Sequence, residues 1–319
     1  MPDLRPMVAT AQVLTLLNQH FRAPIIDLAP VDGGQVARVF SFRVKEQEYI
    51  VRFNLDKMLT SNFPKEAYLV RKLAVTLIPL APLLHVGRLG DLHFAISRKV
   101  PGKMLQEHTP QEVKALLPQI LDLLEMAHSV DISETQGYGV FDDQGRGLDA
   151  SWHASLLKIA EEEDERDYFG KWHRLFDETF LERNLFEDLY QRMKELLVSC
   201  PEERALLLGG FTMRNLLAQN GKITAVLDLI DASYGDMVYD IVSLDFWWSP
   251  LGIREAFLAD QQQRGRDLPF YAERLLCYEC HHALVGLRFY AKSGNEKGYQ
   301  MVCEIIQRKL AAFGMQLKD

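Results

Sequence analysis

Leu208-Gly209-Gly210-Phe211-Thr212-Met213-Arg214-Asn215 opens the stretch that decides the fold, which runs on through an apolar segment to Asn220-Gly221 and through a second one to Asp228. An Asn-Gly dipeptide between two such segments predicts a β-hairpin, because both central residues of a type I′ turn need positive φ. With Asn220-Gly221 as the loop, Gln219 faces Lys222, and counting outward sets Asn215 opposite Val226. Asp228 then lies about 7 Å further along the strand, which brings an amide and a carboxylate to the open end of the hairpin. Hard oxygen ligands of this kind suit Mg²⁺, which keeps most of its waters and takes one or two protein groups plus substrate phosphates. The residues leave an equal alternative open, in which Asn215 ends a turn and Asp228 caps the next loop.

Around this hairpin the chain reads as two unequal parts. Residues 7–21 predict a helix, with Val8, Val13, Leu16 and Leu17 at near-helical spacing. Residues 39–44 alternate Phe40, Phe42 and Val44 against Ser41 and Arg43, Lys45-Glu46-Gln47-Glu48 turns the chain, and 49–53 return as a second strand. On that strand Tyr49, Val51 and Phe53 share one face, which leaves Arg52 on the other. Residues 64–74 predict a short helix carrying Glu66, Val70 and Leu73 on one face. A carboxylate on a buried face needs a partner, and Arg52 is the candidate; alternatively Glu66 sits in the acidic first turn of its helix. Residues 93–100 predict a strand broken by Pro101-Gly102, the best boundary on the chain. Helices are expected over 110–129, 152–164, 171–197, 236–248 and 254–263, with two more to the end.

Composition narrows the classes. At 319 residues and 48% hydrophobic content the chain can bury a sizeable core. No run of 18 or more apolar residues suggests a membrane span, and the N-terminal residues lack the pattern of a secretory signal, so the expected setting is the cytoplasm, away from membranes. A net charge of −8 argues against nucleic acid as a partner and suits a cationic ligand. Cys277-Tyr278-Glu279-Cys280-His281 matches a haem-attachment pattern and half a zinc site, yet it falls within an amphipathic helix without further grouped ligands. Reduced buried thiols are the expectation for Cys200, Cys277, Cys280 and Cys303.

Several segments carry a resemblance: Ala37-Arg38-Val39-Phe40-Ser41-Phe42, Tyr49-Ile50-Val51-Arg52, Ile96-Ser97-Arg98, Gly137-Tyr138-Gly139, Gly145-Arg146-Gly147 with Trp152 after it, Asn220-Gly221-Lys222-Ile223-Thr224-Ala225-Val226-Leu227-Asp228, and then Gly235-Asp236 and Tyr239-Asp240. In this order, over roughly 30–250, they resemble the aminoglycoside phosphotransferase family, and within it the hygromycin B phosphotransferase branch. The resemblance implies a bilobal, protein-kinase-like α+β fold, with a small antiparallel-sheet lobe over 1–100 and a larger, mainly helical lobe over 101–319. It implies that Asp32-Gly33-Gly34-Gln35 forms the loop over the nucleotide phosphates, where Gly33 and Gly34 let backbone amides approach, although the double glycine alone reads equally as an ordinary turn. It implies that Arg52 binds the α- and β-phosphates and pairs with Glu66, that the hinge at 97–100, including Ser97 and Lys99, binds the base, and that Asn215 and Asp228 hold Mg²⁺ beside ATP or GTP. Asp231 matches an acidic position of the branch and becomes a substrate contact. Glu161-Glu162-Glu163-Asp164-Glu165 lies where the family builds its substrate pocket, as a cation-binding cluster or a solvated helix face. Asp236 is expected to cap the following helix and Asp240 to buttress the catalytic loop.

One departure outweighs the matches. The resemblance places a His at the position of Leu208 and the catalytic Asp at the position of Gly210, and both are missing. Loss of a general base costs a factor of about 10²–10⁴, while phosphoryl transfer otherwise relies on positioning and charge neutralisation. Two functions follow as expectations. One is a nucleotide- and Mg²⁺-binding protein, weakly active or inactive in the manner of a pseudokinase; the other is an active phosphotransferase moving the γ-phosphate to a hydroxyl of a cationic amino-sugar-like molecule, with water or a neighbouring acid such as Asp231 as proton acceptor.

Overall fold

Alternating apolar residues in the first strands fold into a five-stranded antiparallel sheet. The computed structural model describes residues 5–31, 37–55, 63–164, 168–248 and 251–316. Helix α1 (Thr10–His20) leads into β1 (Ile25–Val31), β2 (Arg38–Val44), β3 (Gln47–Leu55), helix α2 (Phe63–Leu73), β4 (Leu83–Leu89) and β5 (Leu92–Arg98). The sheet order is β1-β2-β3-β5-β4. Val51 and Phe53 of β3 point with Phe40, Phe42, Phe94 and Ile96 toward Val13, Leu16 and Leu17 of α1, forming one apolar core. Arg52 sits on the opposite face, as the period of two requires. On that face lies α2, whose Leu69 and Leu73 belong to a second, larger core shared with the helices that follow.

The remainder is mainly helical. Strand β6 (Lys103–Met104) is followed by α3 (Pro110–His128), β7 (Tyr138–Phe141), β8 (Gly147–Asp149), α4 (Trp152–Leu157), α5 (Leu175–Glu178), α6 (Arg183–Leu196) and β9 (Ala205–Leu207). The hairpin β10 (Leu216–Gln219) and β11 (Lys222–Val226), strand β12 (Ser233–Gly235) and helices α7 (Val238–Trp248), α8 (Ile253–Gln263), α9 (Tyr271–Ser293) and α10 (Glu296–Ala312) complete the chain. The start of α3 is written in sequence: Pro110 opens it, the Glu112 amide donates to Thr109 Oγ1 at 3.3 Å, and the Thr109 amide donates to Glu112 Oε2 at 2.8 Å. Among the described residues no helix is long and apolar enough to cross a membrane. The four thiols are free, with Cys200, Cys277 and Cys280 buried.

Three expectations need correction. The helix read over 171–197 is interrupted between Glu178 and Arg183, where the Leu181 amide donates to Thr179 Oγ1 at 3.2 Å instead of to a helical carbonyl, while Leu175 O accepts from both the amide and the hydroxyl of Thr179. The helix read over 152–164 ends its α-helical turns at Leu157 and closes with a 3-10 turn over Lys158–Ala160. On α2 Glu66 and Leu73 are buried as read, but Val70 is only partly covered, and Lys65 and Leu69 complete the buried stripe instead.

Candidate functional site

The hairpin turn is as the Asn-Gly pair demands, with φ of 52° at Asn220 and 72° at Gly221 and Gln219 opposite Lys222. Its register differs from the expectation. Leu217 pairs with Ala225 and Ala218 with Ile223, so Thr224 is an extra residue and Leu216, not Asn215, faces Val226. The bulge has a cause outside the hairpin: Thr224 Oγ1 donates to Pro101 O at 2.6 Å, fastening the hairpin beneath the Pro101-Gly102 break. As a result Asn215 O accepts from the Leu227 amide at 2.7 Å, one residue nearer to Asp228 than strict counting gives. Asp228 itself leaves the strand in the left-handed conformation, φ 58°.

The loop before β10 is held rigidly by groups on other elements. Asp240, fully buried at the start of α7, accepts from the Leu208 amide at 2.9 Å and the Gly209 amide at 3.1 Å, and its carboxylate lies 3.0 Å from His128 Nε2. Asp240 therefore buttresses the loop, and Asp236 bonds the Val238 amide at 3.1 Å while forming a buried ion pair with Arg274. Asn215 Nδ2 donates to Gly210 O at 2.7 Å, which leaves the amide oxygen as the ligand-type atom of that side chain. Gly209 has φ 67°, and a Cβ there would stand 2.0 Å from Asp231 O, so the loop lies directly against the turn that carries Asp231. Leu208 is fully buried in the core.

Across the cleft, Arg52 Nη2 donates to Glu66 Oε2 at 2.6 Å, joining β3 to α2. Burial works against the guanidinium charge, but Glu66, through charge and hydrogen bond, and Asp228, through charge, together raise the Arg52 pKa. Arg52, Glu66 and Asp228 thus form one electrostatic group. The Asp228 carboxyl is pushed up to about 7, chiefly by burial and next by Asp231, with Glu66 adding and Arg52 opposing. The Asp228 carboxylate and the Asn215 amide oxygen, left as the ligand-type atom by the bond to Gly210 O, are hard oxygen donors of the kind a Mg²⁺ ion takes.

Sequence reasoning missed Lys65. Its side chain is fully buried, its Nζ lies 4.5 Å from the Phe141 ring centroid, and burial pushes its pKa down to about 8 while the Asp231 carboxylate acts in the other direction. The available signal was the spacing 65, 69, 73, which puts the lysine on the apolar stripe of α2.

Not every sequence-derived residue joins this group. Gly33 and Gly34 lie outside the described residues. Ser97 is buried within the sheet, paired with Ile50 and Leu83, and the Lys99 amide is taken by Glu48 O at 3.1 Å while its Nζ pairs with Glu48 Oε1. Lys99 therefore turns its N–H and its charge toward the β2–β3 turn. Within the acidic run Glu162 pairs with Lys171 at 3.2 Å, and Glu163 with Arg288 at 3.3 Å, whose guanidinium stacks over Phe169 and Trp172; Glu165 lies outside the described residues.

Comparison with known proteins gives a consistent result. The family described as "Phosphotransferase enzyme family" (APH) matches residues 27–274. The hygromycin-B 4-O-kinase of Escherichia coli is 29% identical over 247 residues, covering 76% of this chain and 68% of the relative. The crystal structure of a thermostable mutant of aminoglycoside phosphotransferase APH(4)-Ia in apo form superposes with TM-score 0.79 at 25% identity, covering 96% of this chain and 99% of the other. A ternary complex of a thermostable APH(4)-Ia mutant with ADP and hygromycin B gives 0.76 at 27% identity, covering 93% and 98%. Spectinomycin phosphotransferase APH(9)-Ia shares the fold, with TM-score 0.65 at 13% identity, covering 97% and 100%.

Proposed function

The chain belongs to the aminoglycoside phosphotransferase family, and from that premise we propose that it binds a magnesium complex of ATP or GTP in this cleft and is a weak phosphotransferase toward a hydroxyl of a cationic, amino-sugar-like molecule. The observation that carries the reading is the Arg52–Glu66 pair at 2.6 Å, whose guanidinium also lies within the field of Asp228. That is the arrangement a triphosphate needs: a fixed planar cation from the sheet facing oxygen ligands from the hairpin. In this reading residues 1–100 form the nucleotide lobe and 101–319 the helical lobe.

Each residue has a role. Arg52, oriented by Glu66, presents two donors to the α- and β-phosphates. Asn215 and Asp228 would hold Mg²⁺, which when bound would supply positive charge against the nucleotide phosphates. Asp231 faces the acceptor. Gly210 brings no carboxylate to the acceptor hydroxyl, and this is why turnover is weak. APH(4)-Ia is crystallised with hygromycin B and the curated relative is named for phosphorylating it, so an aminocyclitol is the first acceptor to try.

The test is a phosphorylation assay with millimolar Mg-ATP or Mg-GTP and hygromycin B, read by the mass of the product, beside the thermal shift given by each nucleotide. The expected result is a Mg²⁺-dependent shift with slow transfer. A protein whose melting is unmoved by either nucleotide contradicts the proposal.

A further inference from the structure

We propose that Asp231 is the base this chain uses in place of a residue at 210. The inference rests on the phosphotransferase reading above and deepens it. A Cβ built on Gly210 would stand 3.1 Å from Asp228 O, 3.2 Å from Asn215 Nδ2 and 4.0 Å from Asp231 Oδ2. An aspartate at 210 would carry its oxygens about 2.4 Å from that Cβ, from standard bond lengths. The Asp231 carboxylate therefore already occupies the neighbourhood that a carboxylate at 210 would serve, beside Asn215.

Two further features fix that carboxylate. The 3-10 turn Leu229–Asp231 follows Asp228 directly, and its backbone lies so close to the loop that Gly209 has no room for a side chain. Loop and turn thus move as one body, so the base keeps its place relative to Asn215 and Asp228. The buried Lys65, resting against Phe141, sets a positive charge within the field of Asp231 from the other side. Lys65 is a positioning residue: its charge attracts the Asp231 carboxylate, and it is placed on α2, next to the Glu66 that orients Arg52.

In the step this supports, the acceptor oxygen forms a bond to the γ-phosphorus as the bond from that phosphorus to the β,γ-bridging oxygen breaks. The proton of the acceptor hydroxyl goes to Asp231, and the electron pair of the broken bond leaves with the nucleoside diphosphate.

The experiment compares the wild type with Asp231→Asn, Asp231→Glu and the double variant Gly210→Asp/Asp231→Asn. For each, Mg-ATP affinity is measured by calorimetry, and turnover is measured as phosphate release from Mg-ATP alone and as transfer to hygromycin B. Asp231→Asn is expected to lower kcat at least about 10²-fold while still binding Mg-ATP, because the amide keeps the shape and loses the base. The double variant is expected to regain at least tenfold, and its recovery doubles as the control for folding. Asp231→Glu, which keeps a carboxylate, is expected to retain at least a tenth of wild-type turnover. Turnover by Asp231→Asn at the wild-type rate, or a wild type that binds Mg-ATP and never turns it over, overturns the assignment. A chain that binds no nucleotide overturns the preceding reading and this inference with it.

Discussion

Arg52 and Glu66 meet at 2.6 Å across two elements, and Asn215 and Asp228 come together at the base of one hairpin. On the acceptor side of the same loop there is a glycine at 210, a buried leucine at 208 and a fully buried lysine facing Asp231. The first half carries the charges on which the proposed magnesium-nucleotide site rests, while the second has the scaffold without the expected base. The scaffold is intact: Asp240 still holds the amides of Leu208 and Gly209, and Asn215 still holds Gly210 O. A loop can thus keep its backbone geometry after losing the side chains that the geometry once aimed, because the bonds that shape it come from other elements. The two halves can be separated by experiment.

The largest effect is expected from the shared scaffold. Asp240→Ala leaves two buried amides and His128 without their acceptor, and should cost about 3 kcal/mol or more of unfolding free energy in urea titrations, with loss of both halves together. A variant as stable as the wild type would show that the loop is shaped by its own sequence.

Lys65 supplies a test of the acceptor side through pH. Its pKa is about 8 in the folded chain against an ordinary value of 10.5, so between those values the unfolded chain binds more protons than the folded one. Stability attributable to this residue therefore rises as pH increases from about 8 to 10.5, by up to roughly 3 kcal/mol. Lys65→Met should lack that rise when melting curves of the two proteins are compared across the window. Superimposable pH profiles would remove Lys65 from the account of Asp231.

For the nucleotide side, Arg52→Met leaves Glu66 buried without its cation, at a cost of about 2–3 kcal/mol, and should abolish the thermal shift given by nucleotide. Persistence of the shift would mean that Arg52 is structural only. The smallest effect belongs to the turn: Gly221 has φ 72° with open space around it, so Gly221→Ala should cost only about 1 kcal/mol of conformational strain. A loss of nucleotide binding in that variant would show that the hairpin is less independent of its turn than its fastening through Thr224 suggests.

How much of this could be read from the chain depended on whether the determining force was local. The Asn220-Gly221 turn was legible because two residues encode their own dihedral angles. The face of Arg52 was legible because a strand has a period of two. The bulge at Thr224 was not, since the extra residue is accommodated for a bond to Pro101, remote in sequence. Lys65 was hidden by its type: a lysine reads as surface, and its place on the apolar stripe of α2 becomes meaningful only when Phe141 and Asp231 close over it. The acidic run, read as either a cation cluster or a solvated face, gave no sign of the partners of Glu162 and Glu163, because Lys171 and Arg288 come from other parts of the chain. The break before α6 turned on one threonine hydroxyl, a competition between side chain and backbone that periodicity does not register.

The separation of the two halves rests above all on the nucleotide half being functional. Calorimetric titration of Mg-ATP and Mg-GTP into the wild type and into Asp228→Ala, each with and without Mg²⁺, addresses it directly. The account predicts binding by the wild type that needs Mg²⁺ and is lost in Asp228→Ala while the variant stays folded. Absence of heat with either nucleotide, or binding indifferent to both the metal and Asp228, would contradict it.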